Sequence, residues 1–284
     1  MKFHTDQHFC IGHSHYLSGK PCQDYALSYS AENFACVVVC DGCSTGKRTD
    51  IGARILGLSV LQFFKEREEN GLQINNDKDI YYLLKSILAD RAHMLKLENS
   101  DLLSTCIFVC VNNKRIISRV FGDGVVAVKF RDGSIKAEKY EWINNAPLYL
   151  SYSEKDIKQL EDIFHKGENH PPFSIEIKLS VDVPPIMHYL DLMDAMYGVR
   201  TFLDLSFNND EFLKEIEFIS VFSDGIAQFN NCHWMEVVEQ CMAFKNTTGE
   251  FLKRRIMKVI KNCQRNNKYP IDDVSCSVVK IKHD

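Results

Sequence analysis

Apolar positions along this chain fall into two periods, and the two alternate in blocks. Short apolar or alternating runs bounded by Gly, Asn or Asp predict strands: an opening segment reaching Ile11, then 23–27, 37–42, 105–111, 115–122, 125–130, 135–140, 218–222 and 274–281. Helical spacing takes over after Thr49, expected to cap a helix carrying Ile51, Ile55, Leu58, Leu61 and Phe64. It recurs over 79–96, with Ile80, Leu83, Leu84, Ile87, Leu88 and Leu95 on one face, and again near 233–244 and 249–264. The polar stretch 13–22 reads as a loop, and the four strands from 105 to 140 read as one antiparallel meander. Residues 141–215, broken by Asn144-Asn145, Pro147, Pro171-Pro172 and Pro184-Pro185, read as an irregular, flap-like insertion. Amphipathic helices between blocks of strands must cover sheets, so the expected class is α+β, and 284 residues could form one large domain or two small ones.

Three of the strands end at an Asp-Gly pair: Asp41-Gly42, Asp123-Gly124 and Asp224-Gly225. A strand buried on both faces delivers such an Asp to the rim of a core, and the Gly lets the backbone take positive φ and approach a ligand closely. A fourth pair, Asp132-Gly133, lies between two alternating segments beside Arg131 and Ser134, where a two-residue hairpin turn explains it without chemistry. Asp272-Asp273 precedes the last strand instead of ending it. If that strand runs antiparallel to those ending at Asp41 or Asp224, its acids start where theirs finish.

Composition adds exclusions. The 284 residues are 45% hydrophobic and 25% charged, ordinary for a globular chain, and 34 basic against 38 acidic residues give a net charge of −4. With no basic block, neither nucleic acid nor a membrane surface is an expected partner. The start of the chain lacks a signal-like pattern and no apolar run approaches spanning length, so a cytoplasmic location is expected. Eleven cysteines match no small disulfide framework; Cys36, Cys40, Cys106, Cys110 and Cys276 lie in predicted strands as small hydrophobes. A zinc or redox role for Cys40, Cys43, His13 and His15 is the weakest alternative, because a second ligand pair at zinc spacing is missing.

Clustered Asp carboxylates with a backbone carbonyl and no soft-ligand set suit hard cations in oxygen coordination, magnesium or manganese. Two such ions activate a water and neutralise a transferring phosphoryl group, so phosphate-ester hydrolysis is the natural chemistry. Neither G-x-x-x-x-G-K-[ST] nor G-x-G-x-x-G occurs, which argues against a nucleotide-binding phosphate loop.

The order Gln23-Asp24, Asp41-Gly42, Gly122-Asp123, Ser223-Asp224-Gly225 and Asp272-Asp273 resembles the metal-dependent protein phosphatases of the 2C type. It is most similar to their divergent prokaryotic branch, where an opening such as Gly12-His13-Ser14-His15 through Pro21-Cys22-Gln23-Asp24 replaces the usual Arg-containing motif. The resemblance implies a single domain over 1–284, a four-layer α-β-β-α sandwich of two mainly antiparallel sheets. It implies two core Mn2+ or Mg2+ ions, with Asp41 bridging both and Gly42 contributing its carbonyl. Asp224 and Asp272 would hold one of the ions, Asp24 is the acid near the first strand, and Gln23 would contact metal-bound water. Asp123, with Asp224, would hold a third, weaker ion. The implied reaction is direct attack of a metal-bridging hydroxide on phosphoserine or phosphothreonine in a phosphoprotein, opposing a dedicated kinase. Three positions depart from the family, the mildest being Gln23, which stands where Glu usually contacts metal-bound water. Cys43 stands where many members carry a His acting as general acid, and the phosphate-binding Arg falls near Gly19, leaving Lys20, His15 or Arg48 to supply positive charge. These departures keep a second possibility open, an inactive phosphatase fold that binds a phosphoprotein or partner.

Overall fold

A computed structural model describes the chain except for residues 73–75, 167–170, 180–181, 183, 206–209 and 284. In chain order the first half comprises β1 (Lys2–Cys10), α1 (His13–Ser18), β2 (Asp24–Ser30), β3 (Phe34–Asp41), α2 (Thr49–Glu69), α3 (Asp77–Met94), β4 (Cys106–Asn112), β5 (Ile116–Phe121), β6 (Gly124–Phe130) and β7 (Ile135–Trp142). The second half adds α4 (Glu154–Lys166), β8 (Phe173–Lys178), β9 (Ile186–Leu190), α5 (Leu192–Met196), β10 (Val199–Arg200), α6 (Phe202–Leu205), α7 (Asp210–Glu215), β11 (Ile216–Phe222), α8 (Trp234–Met242), α9 (Phe251–Arg265) and β12 (Val274–Lys282).

The strands form two antiparallel sheets, one ordered β1-β12-β11-β6-β7-β8-β9 and the other β10-β5-β4-β3-β2. Three apolar clusters fill the three interfaces of a four-layer α-β-β-α sandwich. Val37, Val109, Val126 and Ile219 lie between the sheets. Leu56, Phe64, Leu84 and Phe108 join α2 and α3 to the five-stranded sheet, and Phe218, Val238, Phe251 and Ile256 join α8 and α9 to the seven-stranded one. Strands buried on both faces explain the unbroken Val, Ile and Cys runs, and Cys36, Cys40, Cys106, Cys110 and Cys276 are all nearly or fully buried among them.

Four expectations change. The stretch 13–22 contains α1, a short helix whose first amides are satisfied from far along the chain: Gly12 N donates to Asp273 Oδ1 (2.7 Å) and His13 N to the Pro270 carbonyl (3.0 Å). Gly19 ends it in the left-handed conformation, φ 68°. Thr49 is the first residue of α2 rather than its cap, and its hydroxyl donates to the Cys43 carbonyl (2.9 Å). The meander is two hairpins: β4 pairs with β5 in one sheet and β6 with β7 in the other, so the Gly122-Asp123 link crosses between sheets. Residues 141–215, expected to be irregular, supply α4 together with β8 and β9, which lengthen one sheet, and β10, which edges the other. Prolines here punctuate short elements between masking turns in the sequence pattern, and tertiary pairing completes them.

Candidate metal centre

Antiparallel pairing brings the separate acids to one end of the sandwich. Asp24 opens β2 directly opposite Asp41, the last residue of β3. In the facing sheet, Phe222 at the end of β11 pairs with Cys276 near the start of β12, which sets Asp224 beside Asp272 and Asp273. Asp123 joins them from the crossover ahead of β6. Ser223 ties the two sheets together here: its hydroxyl donates to Asp24 Oδ2 (2.6 Å), while its amide donates to the Ser275 carbonyl (3.0 Å).

Asp41 is central. Its carboxyl lies close enough to both Asp24 and Asp224 for hydrogen-bond contact with each. Burial, and then repulsion from Asp24 and Asp224, pushes it well above the usual carboxylate range. Burial likewise raises Asp24 to about 8 and Asp224 to about 6, Asp224 being further opposed by Asp272. Asp123 is raised by burial and by the charge of Asp224. Asp24 Oδ1 and Asp224 Oδ1 are buried without a hydrogen-bond partner among the described residues. A crowd of buried and partly buried carboxylates with orphaned oxygens carries uncompensated negative charge, and the donor set is oxygen throughout. These residues therefore fit hard divalent cations.

The Asp-Gly glycines matter for space. A Cβ on Gly42 would sit 2.7 Å from the Thr49 carbonyl oxygen, and one on Gly225 would sit 1.8 Å from that of Asp273. Neither adopts positive φ, so close backbone approach alone requires Gly at both. Gly133, in contrast, has φ 92° and open space around its Cβ position, as its hairpin turn predicts.

Gln23 is buried, with its Nε2 donating to Thr49 Oγ1 (2.6 Å) and its Oε1 unpartnered among the described residues. Among the described residues, His15, Asp272 and Asp273 form a trio whose potential ligand atoms lie within 4.8 Å of one another. Asp273 is already committed: it accepts from the amides of Gly12 (2.7 Å) and Gln23 (2.6 Å), and His15 Nδ1 lies 2.8 Å from its Oδ2. We read Asp273 as the latch that fastens α1 and the start of β2 to the last strand.

The three cations expected to meet a substrate phosphate are engaged elsewhere. His15 is buried against Asp273, Lys20 Nζ donates to the Ser44 carbonyl (3.1 Å), and Arg48 Nη2 pairs with Asp101 Oδ2 at 2.6 Å. Cys43 is half-buried, 3.1 Å from Thr45 Oγ1 and hydrogen-bonded to Tyr149. Burial alone would raise its thiol, but the Thr45 and Tyr149 hydroxyls and the Thr45 and Gly46 amides outweigh it and hold the thiol below its ordinary range. Tyr149 was hidden from sequence reasoning because it lies in the segment read as irregular; Ser223 and Asp273 were visible only as neighbours of expected ligands. The zinc alternative finds no support in this geometry: Cys40 is sealed within the apolar cluster under α2, and His13 packs against the Tyr269 ring.

Residues 11–144 match the sequence model of the protein phosphatase 2C family. No curated protein matched the sequence. Among solved structures, a variant of a bacterial serine phosphatase superposes with a TM-score of 0.56 at 12% identity, covering 99% of this chain and 100% of that one. The serine/threonine phosphatase Stp1 from Staphylococcus aureus gives 0.54 at 12% identity over 100% and 96%. The phosphatase domain of SpoIIE from Bacillus subtilis, with a fragment of its regulatory domain, gives 0.50 at 13% over 99% and 64%. Residues 11–144 are thus similar in sequence to the protein phosphatase 2C family, and nearly the whole chain shares the fold of these bacterial phosphatases.

Proposed function

We propose that this protein is a manganese- or magnesium-dependent phosphatase acting on phosphoserine or phosphothreonine in a phosphoprotein, set against a dedicated kinase. The observation that carries the reading is the convergence of buried Asp24 with partly buried Asp41 and Asp224, mutually repelling and with two carboxylate oxygens lacking a partner among the described residues. Asp41, in contact with both neighbours, is suited to bridge two ions. Asp224 and Asp272 would hold one of them with the Gly42 carbonyl nearby, and Asp123 with Asp224 would hold a third. When bound, such ions supply an activated water and neutralise phosphoryl charge. The chain's own residues position that chemistry: Ser223 orients Asp24, Gln228 Nε2 donates to Asp224 Oδ2 (2.5 Å), and Gln23 Oε1 offers an acceptor to an ordered water.

The test is release of phosphate from p-nitrophenyl phosphate and from a phosphothreonine peptide with added manganese, with Asp41→Asn and Asp224→Asn as controls. Manganese-dependent release lost in both variants supports the enzyme. Absence of release, or release surviving both substitutions, overturns it. The engagement of Lys20, His15 and Arg48 elsewhere favours one second reading, a phosphoprotein-binding fold without turnover. It predicts phosphopeptide capture with no phosphate released.

A further inference from the structure

The two sheets differ in width, seven strands against five, so β8 and β9 extend past the edge of the sheet that should cover them. The overhang leaves a cleft of about 750 Å³ between these strands and the wall formed by Tyr197, Val199 and Phe202. That is the size of a small-molecule site. The wall is anchored, because the Tyr197 ring packs edge-on against Tyr81 of α3. Most of the lining is apolar, contributed by residues such as Ile175, Ile177, Leu190 and Phe202.

Two carboxylates line the cleft, Glu138 and the exposed Asp194, together with His188. Glu138 of β7 lines the cleft yet is only 4% exposed. Both hydrogen bonds that fix it, from the Tyr140 hydroxyl and from the Phe202 amide (3.1 Å), fall on Oε2. Among the described residues no donor reaches Oε1, which is the oxygen an occupant would use. Nearby lysines rest on aromatic faces: Lys136 Nζ is 4.0 Å from the Phe202 ring centre and Lys78 Nζ is 5.2 Å from that of Tyr197. Arg200 at the mouth lies 3.9 Å from Asp204. Among the described residues, Glu138, Asp194 and His188 do not converge closely enough to hold a metal ion, and an anionic ligand would meet the buried Glu138 on the floor. A cationic donor on an apolar body satisfies both the carboxylate and the walls.

We propose that the cleft binds a small protonated amine with an apolar body, its ammonium on Glu138 Oε1 and its body between Ile177 and Phe202. Burial raises the Glu138 carboxyl, and a contacting ammonium counters that desolvation. The site is separate from the acid cluster, and the inference does not depend on phosphatase activity.

Calorimetry and ligand-observed NMR on the full chain test it with 2-phenylethylamine, 2-phenylethanol and 3-phenylpropanoate as probes. The amine binds at millimolar concentration and the alcohol about tenfold more weakly, the difference a charge-assisted hydrogen bond makes. Glu138→Gln, which can still accept from Tyr140 and Phe202, brings the amine to the level of the alcohol. Ile177→Trp fills the cleft from the partly exposed face of β8 and removes binding of both, while thermal melts confirm that each variant folds. No binding of the amine, equal binding of amine and alcohol, preference for the carboxylate, or amine binding unchanged in Ile177→Trp overturns the proposal. Should Glu138→Gln fail to fold, the probe series and Ile177→Trp still decide.

Discussion

Removing one charge from the acid cluster should stabilise the metal-free protein while weakening its response to metal. Burial and Asp272 raise Asp224 to about 6, against 3.8 for an ordinary carboxyl. The folded chain therefore holds a proton that the unfolded chain has already released, and stability of the metal-free protein falls as pH rises from about 4 to about 6. Burial raises Asp24 to about 8, which extends the decline toward that pH. The Asp224 difference of about two pH units corresponds to about 3 kcal/mol, or about 2 kcal/mol after allowing for the residue's partial exposure. Asp224→Asn keeps an oxygen for the Gln228 amide and removes the charge. At about pH 7.5 the chelator-treated variant should melt roughly 4–8 °C above the wild type. Added manganese should raise the wild-type melting temperature and raise that of the variant less. Circular dichroism melts across this pH range, with chelator and with manganese, measure both. A metal-free melting temperature that ignores pH, a variant less stable than wild type at neutral pH, or no manganese effect on the wild type would refute the reasoning.

Three further outcomes are expected. Asp273→Ala strands the Gly12 and Gln23 amides and His15, and should cost about 3–5 kcal/mol in urea unfolding. Cys43→His places a general acid where the family carries one; turnover of a phosphothreonine peptide should rise roughly tenfold or more, while p-nitrophenyl phosphate, whose leaving group needs no proton, should change little. Tyr149→Phe removes a hydroxyl donor that lowers the Cys43 thiol, so less thiolate is present near neutral pH and alkylation of Cys43 by iodoacetamide, followed by mass spectrometry, should slow severalfold.

The acids were readable because each sits at a change of pattern: an apolar run meets Asp-Gly, or Asp-Asp meets an apolar run. The look-alike at Asp132-Gly133 was separable because its flanks alternate and its neighbours are exposed, and its glycine indeed has open space around it. Harder positions share one cause. Tyr149 lies in a segment whose strands join the sheets through distant partners, β8 with β7 and β10 with β5, so local pattern carried little information about them. The short α1 was unreadable for the same reason, since its amides are satisfied by residues 270–273.

Outside α1 and residues 141–215, the sequence by itself determined which segments are strands and helices and which acids stand at their ends, because burial on both faces selects β-branched and small apolar residues while Asp and Gly mark where burial stops. Tertiary structure alone decided that β5 and β6 part into different sheets, that Asp41 meets both Asp24 and Asp224, and that the wider sheet overhangs a cleft floored by Glu138. Those facts depend on which strand pairs with which and in what register, and such long-range pairing leaves no periodicity in the chain to read.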